Sequence, residues 1–145
     1  MSITRRLNEE GIVETHARSP VELADALMSI RELEEFVRDG RLFEVVVTEG
    51  DGVHRISYEG GRTVAGSAVS FFQKLELVVI AMVAGNDASF GACRQIQSLM
   101  DHGDPRLRVS VFRDQTLAME WLRQEKHLAE QKTAPISAGK QVASE

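Results

Sequence analysis

The run LVVIAMVA, residues 77–84, is apolar at every position. A strand with one wet face alternates apolar and polar side chains, so eight apolar residues in a row point to a strand covered on both faces. Parallel sheets are covered in this way, because their crossover helices lie on them. The run is also far shorter than the roughly 20 residues that a membrane-spanning helix needs. This one segment therefore calls for a layered fold, with helices packed above and below a central strand.

The rest of the chain supplies the layers. SITRRLNEEGIVETHARS mixes β-branched residues with a turn signal at NEEG, and reads as two short strands of a hairpin. Ser19, Pro20 and Glu22 stand as cap, first helical residue and third helical residue of a helix that runs to about Asp39. Leu23, Leu27, Ile30, Leu33 and Val37 recur at helical steps on one face, and Gly40 is the stop signal. LFEVVVTEG is strand-like, while DGVHRISYEGGR fits an extended loop or an edge strand. TVAGSAVSFFQKL reads as a second helix, weakened by about 1 kcal/mol at Gly66 relative to alanine. SFGACRQIQSLM is a third helix and RLRVSVF a further strand. Asp114 caps a fourth helix, QTLAMEWLRQEKHLA, with Leu117, Ala118, Trp121, Leu122 and Leu128 as its apolar stripe. Helix and strand alternate after the hairpin, which predicts an α/β fold with a largely parallel sheet and right-handed crossovers. No internal repeat is visible. Residues 1–129 form the expected single domain, and the small, polar residues 130–145 a disordered tail.

Composition narrows the function classes. A chain of 145 residues can bury a real core. A net charge of -5, with only a small basic spot at Arg5 and Arg6, argues against binding nucleic acid. The lone Cys93 has no intrachain disulfide partner, which fits a reducing compartment. MSITRRLNEE lacks the apolar core of a signal peptide. The expected location is cytoplasmic, without stable membrane insertion.

The loop after residues 77–84 is the candidate site. Gly85 and Gly91 let a ligand approach the backbone, and a helix N-terminus presents unpaired N–H groups to an anion. Gly85, Asn86, Ser89, Phe90, Gly91 and Arg94 are the candidate ligand-binding residues. No nucleotide motif is complete, because Ala92 and Cys93 follow Gly91 where a P-loop has Lys and Ser or Thr, and the three close glycines of a dinucleotide fingerprint are missing. Asp87 would repel an anion and reads as the helix cap, with Ser89 the other candidate. Cys93 lies near a helix start beside Arg94, a setting that can activate a thiol, but it shares the apolar face of Phe90, Ile96 and Met100 and reads as core. The four histidines, His16, His54, His102 and His127, form no i,i+4 pair, so no zinc helix and no cofactor is expected. Ser67 and Ser70 are candidate phosphorylation sites whose plainer role is close packing on the sheet. Phe71, Phe72 and Phe90 read as core, with a small apolar pocket between helix and sheet as the alternative. Arg31 and Glu35 are spaced for an i,i+4 pair.

The second half resembles the SpoIIAA-like branch of the STAS superfamily. Val111, Phe112, Asp114, Ala118, Trp121 and Leu122 match the valine-phenylalanine strand end, acidic cap and Trp-Leu helix with which such domains close, and Phe90, Gly91 and Arg94 match the start of the preceding helix. The resemblance covers residues 75–123 and extends to the first half by element order. It implies a mixed, mostly parallel sheet with about four helices packed mainly on one face. In the antagonist proteins of that group, a serine at a helix start is phosphorylated by a partner kinase. The Asp-Ser-Ser/Ala-Gly type motif that carries it is absent here, where RTVAGSA stands in its place. The resemblance carries no clear activity. The architecture and the lack of an assembled catalytic set favour a non-enzymatic STAS-like regulatory or protein-interaction module that offers a helical face to a protein partner or to a second copy in a homodimer. The alternative is a domain that binds a small anion, nucleotide or lipid at residues 85–94. A third reading is an enzyme with Cys93 as nucleophile.

Overall fold

The computed structural model describes residues 3–18, 21–49, 57–101 and 103–138, with side chains to residue 132. Ile3–Leu7 (β1) and Val13–Ala17 (β2) form the hairpin, joined by a turn in which the Asn8 side chain accepts from the N–H groups of Glu10 and Ile12 at 2.9 and 3.0 Å. Leu23–Glu32 (α1) and a 3-10 turn, Leu33–Phe36, lead to Arg41–Thr48 (β3). Tyr58–Phe72 (α2), Leu77–Ala84 (β4), Asp87–Met100 (α3), Leu107–Phe112 (β5) and Gln115–Ala138 (α4) follow.

The five strands lie in the order β1-β2-β3-β4-β5. β1 is antiparallel to β2, and the other three pairings are parallel. Each crossover from β2 to β5 steps to the next strand in one direction, so crossovers of one hand lay α1, α2 and α3 on the same face. α4 follows the last strand, returns under no such constraint, and covers the other face. The alternation of side chains along β4 serves both layers. Val78, Ile80, Met82 and Ala84 join the core under α1–α3, while Val79, Ala81 and Val83 join Ala118, Met119 and Leu122 of α4. The described residues thus form an α/β domain with a mostly parallel sheet and four α-helices, three of them on one face, and residues 77–84 run through its covered interior.

Local differences from the sequence reading have physical causes. α1 starts at Leu23 with Glu22 as cap and without a side-chain cap hydrogen bond, so Glu22 is not the third helical residue; Ser19 and Pro20 lie outside the described residues. The helix tightens to 3-10 geometry at Leu33 and ends at Phe36, short of Asp39. Val37 is therefore extended and Leu23 is exposed, and among the described residues no ion pair joins Arg31 to Glu35. Gly40 does adopt a positive φ of 73°, but beside Asp39 at 55°, in a tight turn whose flanking Arg38 and Arg41 exchange backbone hydrogen bonds. Both central residues at positive φ make Asp-Gly the favoured pair for such a turn.

α2 begins at Tyr58, five residues before the expected Thr63, because Ser57 caps it by accepting from the Gly60 N–H at 3.0 Å. Gly60 and Gly61 are buried despite their poor helix propensity, and a side chain at Gly61 would meet Leu99 of α3. Tertiary packing overrides propensity here. The loop-or-strand alternative for residues 51–56 lies outside the described residues. α4 continues to Ala138, past the expected end near residue 129, so the helix takes up the first part of the segment expected to be a disordered tail; residues 139–145 lie outside the described residues.

Gly66 is exposed in the middle of α2, and a Cβ built there meets nothing within 4 Å. Gly66→Ala is expected to raise the free energy of unfolding by about 0.5–1 kcal/mol in urea titration, with an unchanged m-value.

Candidate ligand-binding site

The sheet face under α1–α3 carries Leu42, Glu44 and Val46 of β3, because alternate residues share a face. Glu44 is the one charged residue of that apolar run, and it is placed on the covered side. The hairpin brings Arg5 opposite Thr15, and the parallel pairing of β2 with β3 sets Glu44 next to Thr15. Thr15 Oγ1 donates to Glu44 Oε2 at 2.6 Å and accepts from Arg5 Nε at 3.0 Å. Arg5 Nη1 donates to the Ser29 carbonyl at 2.9 Å and Nη2 to Ser29 Oγ at 2.6 Å, which ties β1 to α1. Arg5 Nε also lies 3.6 Å from Glu44 Oε2, with the two side chains 8% and 3% exposed. Among the described residues, Glu44 Oε1 has no hydrogen-bond partner. Burial pushes the Glu44 carboxyl above the usual carboxylate range, and Arg5 and Thr15 offset part of that rise.

This pair borders a cavity of about 140 Å³ between the sheet and α1–α3. Thr15 and Ser29 line it beside the pair, and the rest of its wall is apolar, with Ala26, Val64, Ala68, Phe72, Ile80 and Met82 among the lining side chains. Alanines at positions 17, 26 and 68 leave the space that larger side chains would fill. One buried acid with a spare acceptor, one buried base, and a greasy wall together can hold a small molecule and orient it by a single polar group.

The ligand-binding residues singled out from sequence sit elsewhere, at the start of α3, and none of them lines this cavity. Asn86, rather than Asp87 or Ser89, caps α3, its side chain accepting from the Ser89 N–H at 2.8 Å and its carbonyl from the Phe90 N–H at 2.9 Å. Ser89 points inward and is fully buried, whereas Gly85, Gly91 and Arg94 are exposed. A Cβ at Gly85 or Gly91 would meet nothing within 4 Å, so neither glycine marks a tight approach. The Phe90 ring lies under the Arg113 guanidinium at 4.1 Å, and Arg113 pairs with Asp87 at 2.8 Å.

Cys93 is buried and its thiol is pushed up to about 11 by desolvation, with Thr48 opposing. An activated thiol needs the opposite shift. His16 lies 3.0 Å from Glu49, His127 is exposed, and His54 and His102 are outside the described residues. Among the described residues, no three His, Cys, Asp or Glu side chains gather as metal ligands, and no helix is long and apolar enough to cross a membrane. Ser67 and Ser70 border a surface groove with Arg31 and Lys74. Phe72 lines the inner cavity; Phe71 packs beside it with ring centroids 5.5 Å apart, and Phe90 packs on the same core without lining the cavity.

The chain matches no family model, no curated protein and no solved structure. The polar pair was missed in the sequence because Arg5 and Glu44 are 39 positions apart in number and meet only through two strand pairings. The readable signal was Glu44 at an inward position between the apolar Leu42 and Val46 of β3.

The raised carboxyl fixes a pH dependence. Between its usual value of 4.5 and the higher native value, the folded chain holds a proton at Glu44 that the unfolded chain has lost. Stability from this group is therefore full below about 4.5 and falls as pH rises through the window. Glu44→Gln does not titrate there. The stability of wild type minus that of Glu44→Gln is expected to fall from pH 4.5 upward and then level off, as read by urea unfolding at a series of pH values.

Proposed function

We propose that this protein is a non-enzymatic, STAS-like regulatory module that works by taking a compact, mainly apolar molecule between its sheet and α1–α3. The observation that carries the reading is the cavity of about 140 Å³ beside a buried polar pair. Protein interiors hold few voids larger than a water molecule. An apolar cavity of about 150 Å³ admits a molecule the size of benzene. A ligand at residues 85–94 has less support, because Asn86 already caps the helix start and Ser89 is fully buried.

Thermal unfolding and methyl NMR with benzene, toluene, phenol and indole test the reading. A ligand at about 100 times its Kd is expected to raise the Tm of the wild type by roughly 5–10 °C. Ala68→Phe, which fills the cavity, is expected to abolish the rise. A wild type whose Tm and methyl resonances ignore the whole panel would refute the proposal.

A protein-interaction role is the second reading, supported by the outer side of α4. Leu117 and Leu128 are 55% and 43% exposed and lie three turns apart on one side of the helix, flanking Trp121, which packs on Phe112 at 5.6 Å. A second copy of the chain is the expected occupant of this stripe. Light scattering over a concentration series should show a dimer that Leu117→Glu weakens at least tenfold. A wild type that stays monomeric to millimolar concentration sinks the second-copy reading.

A further inference from the structure

We infer that the ligand of the inner cavity is neutral and carries one hydroxyl group, which is read by Glu44 Oε1. This rests on the cavity reading above and adds the chemical class of the molecule. Glu44 is almost wholly buried and borders the cavity; Oε2 is engaged by Thr15, and Oε1 is unpartnered among the described residues. A buried acceptor without a partner is costly, so a group that supplies a hydrogen bond at that point gains more than the same bond would in water.

Charge decides which group. Arg5 donates to Thr15 and twice to Ser29, lies 3.6 Å from Glu44, and has Glu32 at 3.9 Å on its other side. An anionic ligand would face Glu44 and find Arg5 already flanked by two carboxylates. An ammonium ligand would bring a second positive charge beside the Arg5 guanidinium. Either adds an uncompensated charge to a greasy enclosure. A hydroxyl adds none. It donates to Oε1 when Glu44 is ionised and accepts from the carboxyl proton when Glu44 is neutral, so it suits both states. The rest of the molecule must be compact and apolar, because the Thr15 and Ser29 hydroxyls on the wall are already engaged by Arg5 and Glu44 and the remaining wall offers Ala, Val, Leu, Ile, Met and Phe.

Calorimetry on the full chain with toluene, phenol, benzoate and benzylamine tests this. Toluene and phenol have the same number of heavy atoms, so they differ at the site mainly in the hydroxyl. Phenol is expected to bind about tenfold more tightly than toluene, and benzoate and benzylamine more weakly than either. The double variant Arg5→Met, Glu44→Leu removes both charges at similar volume, a replacement that buried ion pairs commonly tolerate. It is expected to bind toluene at least as well as wild type and to lose the preference for phenol. Equal binding of toluene and phenol by the wild type overturns the hydroxyl assignment and leaves the cavity reading standing. Preference for benzoate or benzylamine, or a phenol preference that survives in the double variant, also overturns it. Binding of neither toluene nor phenol overturns both.

Discussion

Burial of β4 on both faces organises the molecule. It pairs with β3 along eight residues and with β5 along six, and its side chains alternate between two apolar clusters. A strand placed this way cannot be stable in an open hairpin sheet with one wet side, so α1–α3 and α4 are required on opposite faces. Helix positions then follow from chain direction: three crossovers of one hand deliver three helices to one face, and only the terminal helix is free to close the other.

Against that apolar frame, the Arg5–Glu44 pair stands out. A buried ion pair is weak support for stability, since an apolar pair of similar volume often serves as well. This pair is embedded in hydroxyl groups from Thr15 and Ser29, which link β1, β2, β3 and α1 in one network. The network fixes the position of α1 over the sheet edge and keeps Glu44 at the wall of the cavity. Small side chains at Ala17, Ala26 and Ala68 do the complementary work, because they hold the helices near the sheet without filling the space between.

Much of the fold could be read from pattern. The unbroken run of β4, the hairpin around Asn8, the stripe Phe90, Cys93, Ile96 and Met100, and the Asp114 cap all depend on near neighbours in sequence, where period and turn chemistry act directly. The errors cluster where distant packing overrules local preference. Gly60 and Gly61 look like loop residues and are helical, buried in the first turn behind the Ser57 cap. Val37 looks like the end of the α1 stripe and is extended because the chain must turn at Asp39 and Gly40 to enter β3. The site was the least legible part. Gly85 and Gly91 suggest a ligand approach at residues 85–94, and both stand in open space beside a helix start that Asn86 caps.

Sequence alone determined the class of fold, since hydrophobic period, capping residues and glycine turns are properties of neighbouring residues and need no partner to be read. Tertiary structure alone decided that Arg5, Thr15, Ser29 and Glu44 meet, and that three alanines leave room beside them. The reason is geometric: strand register and helix docking join segments that the sequence keeps apart, and a cavity belongs to none of its walls singly.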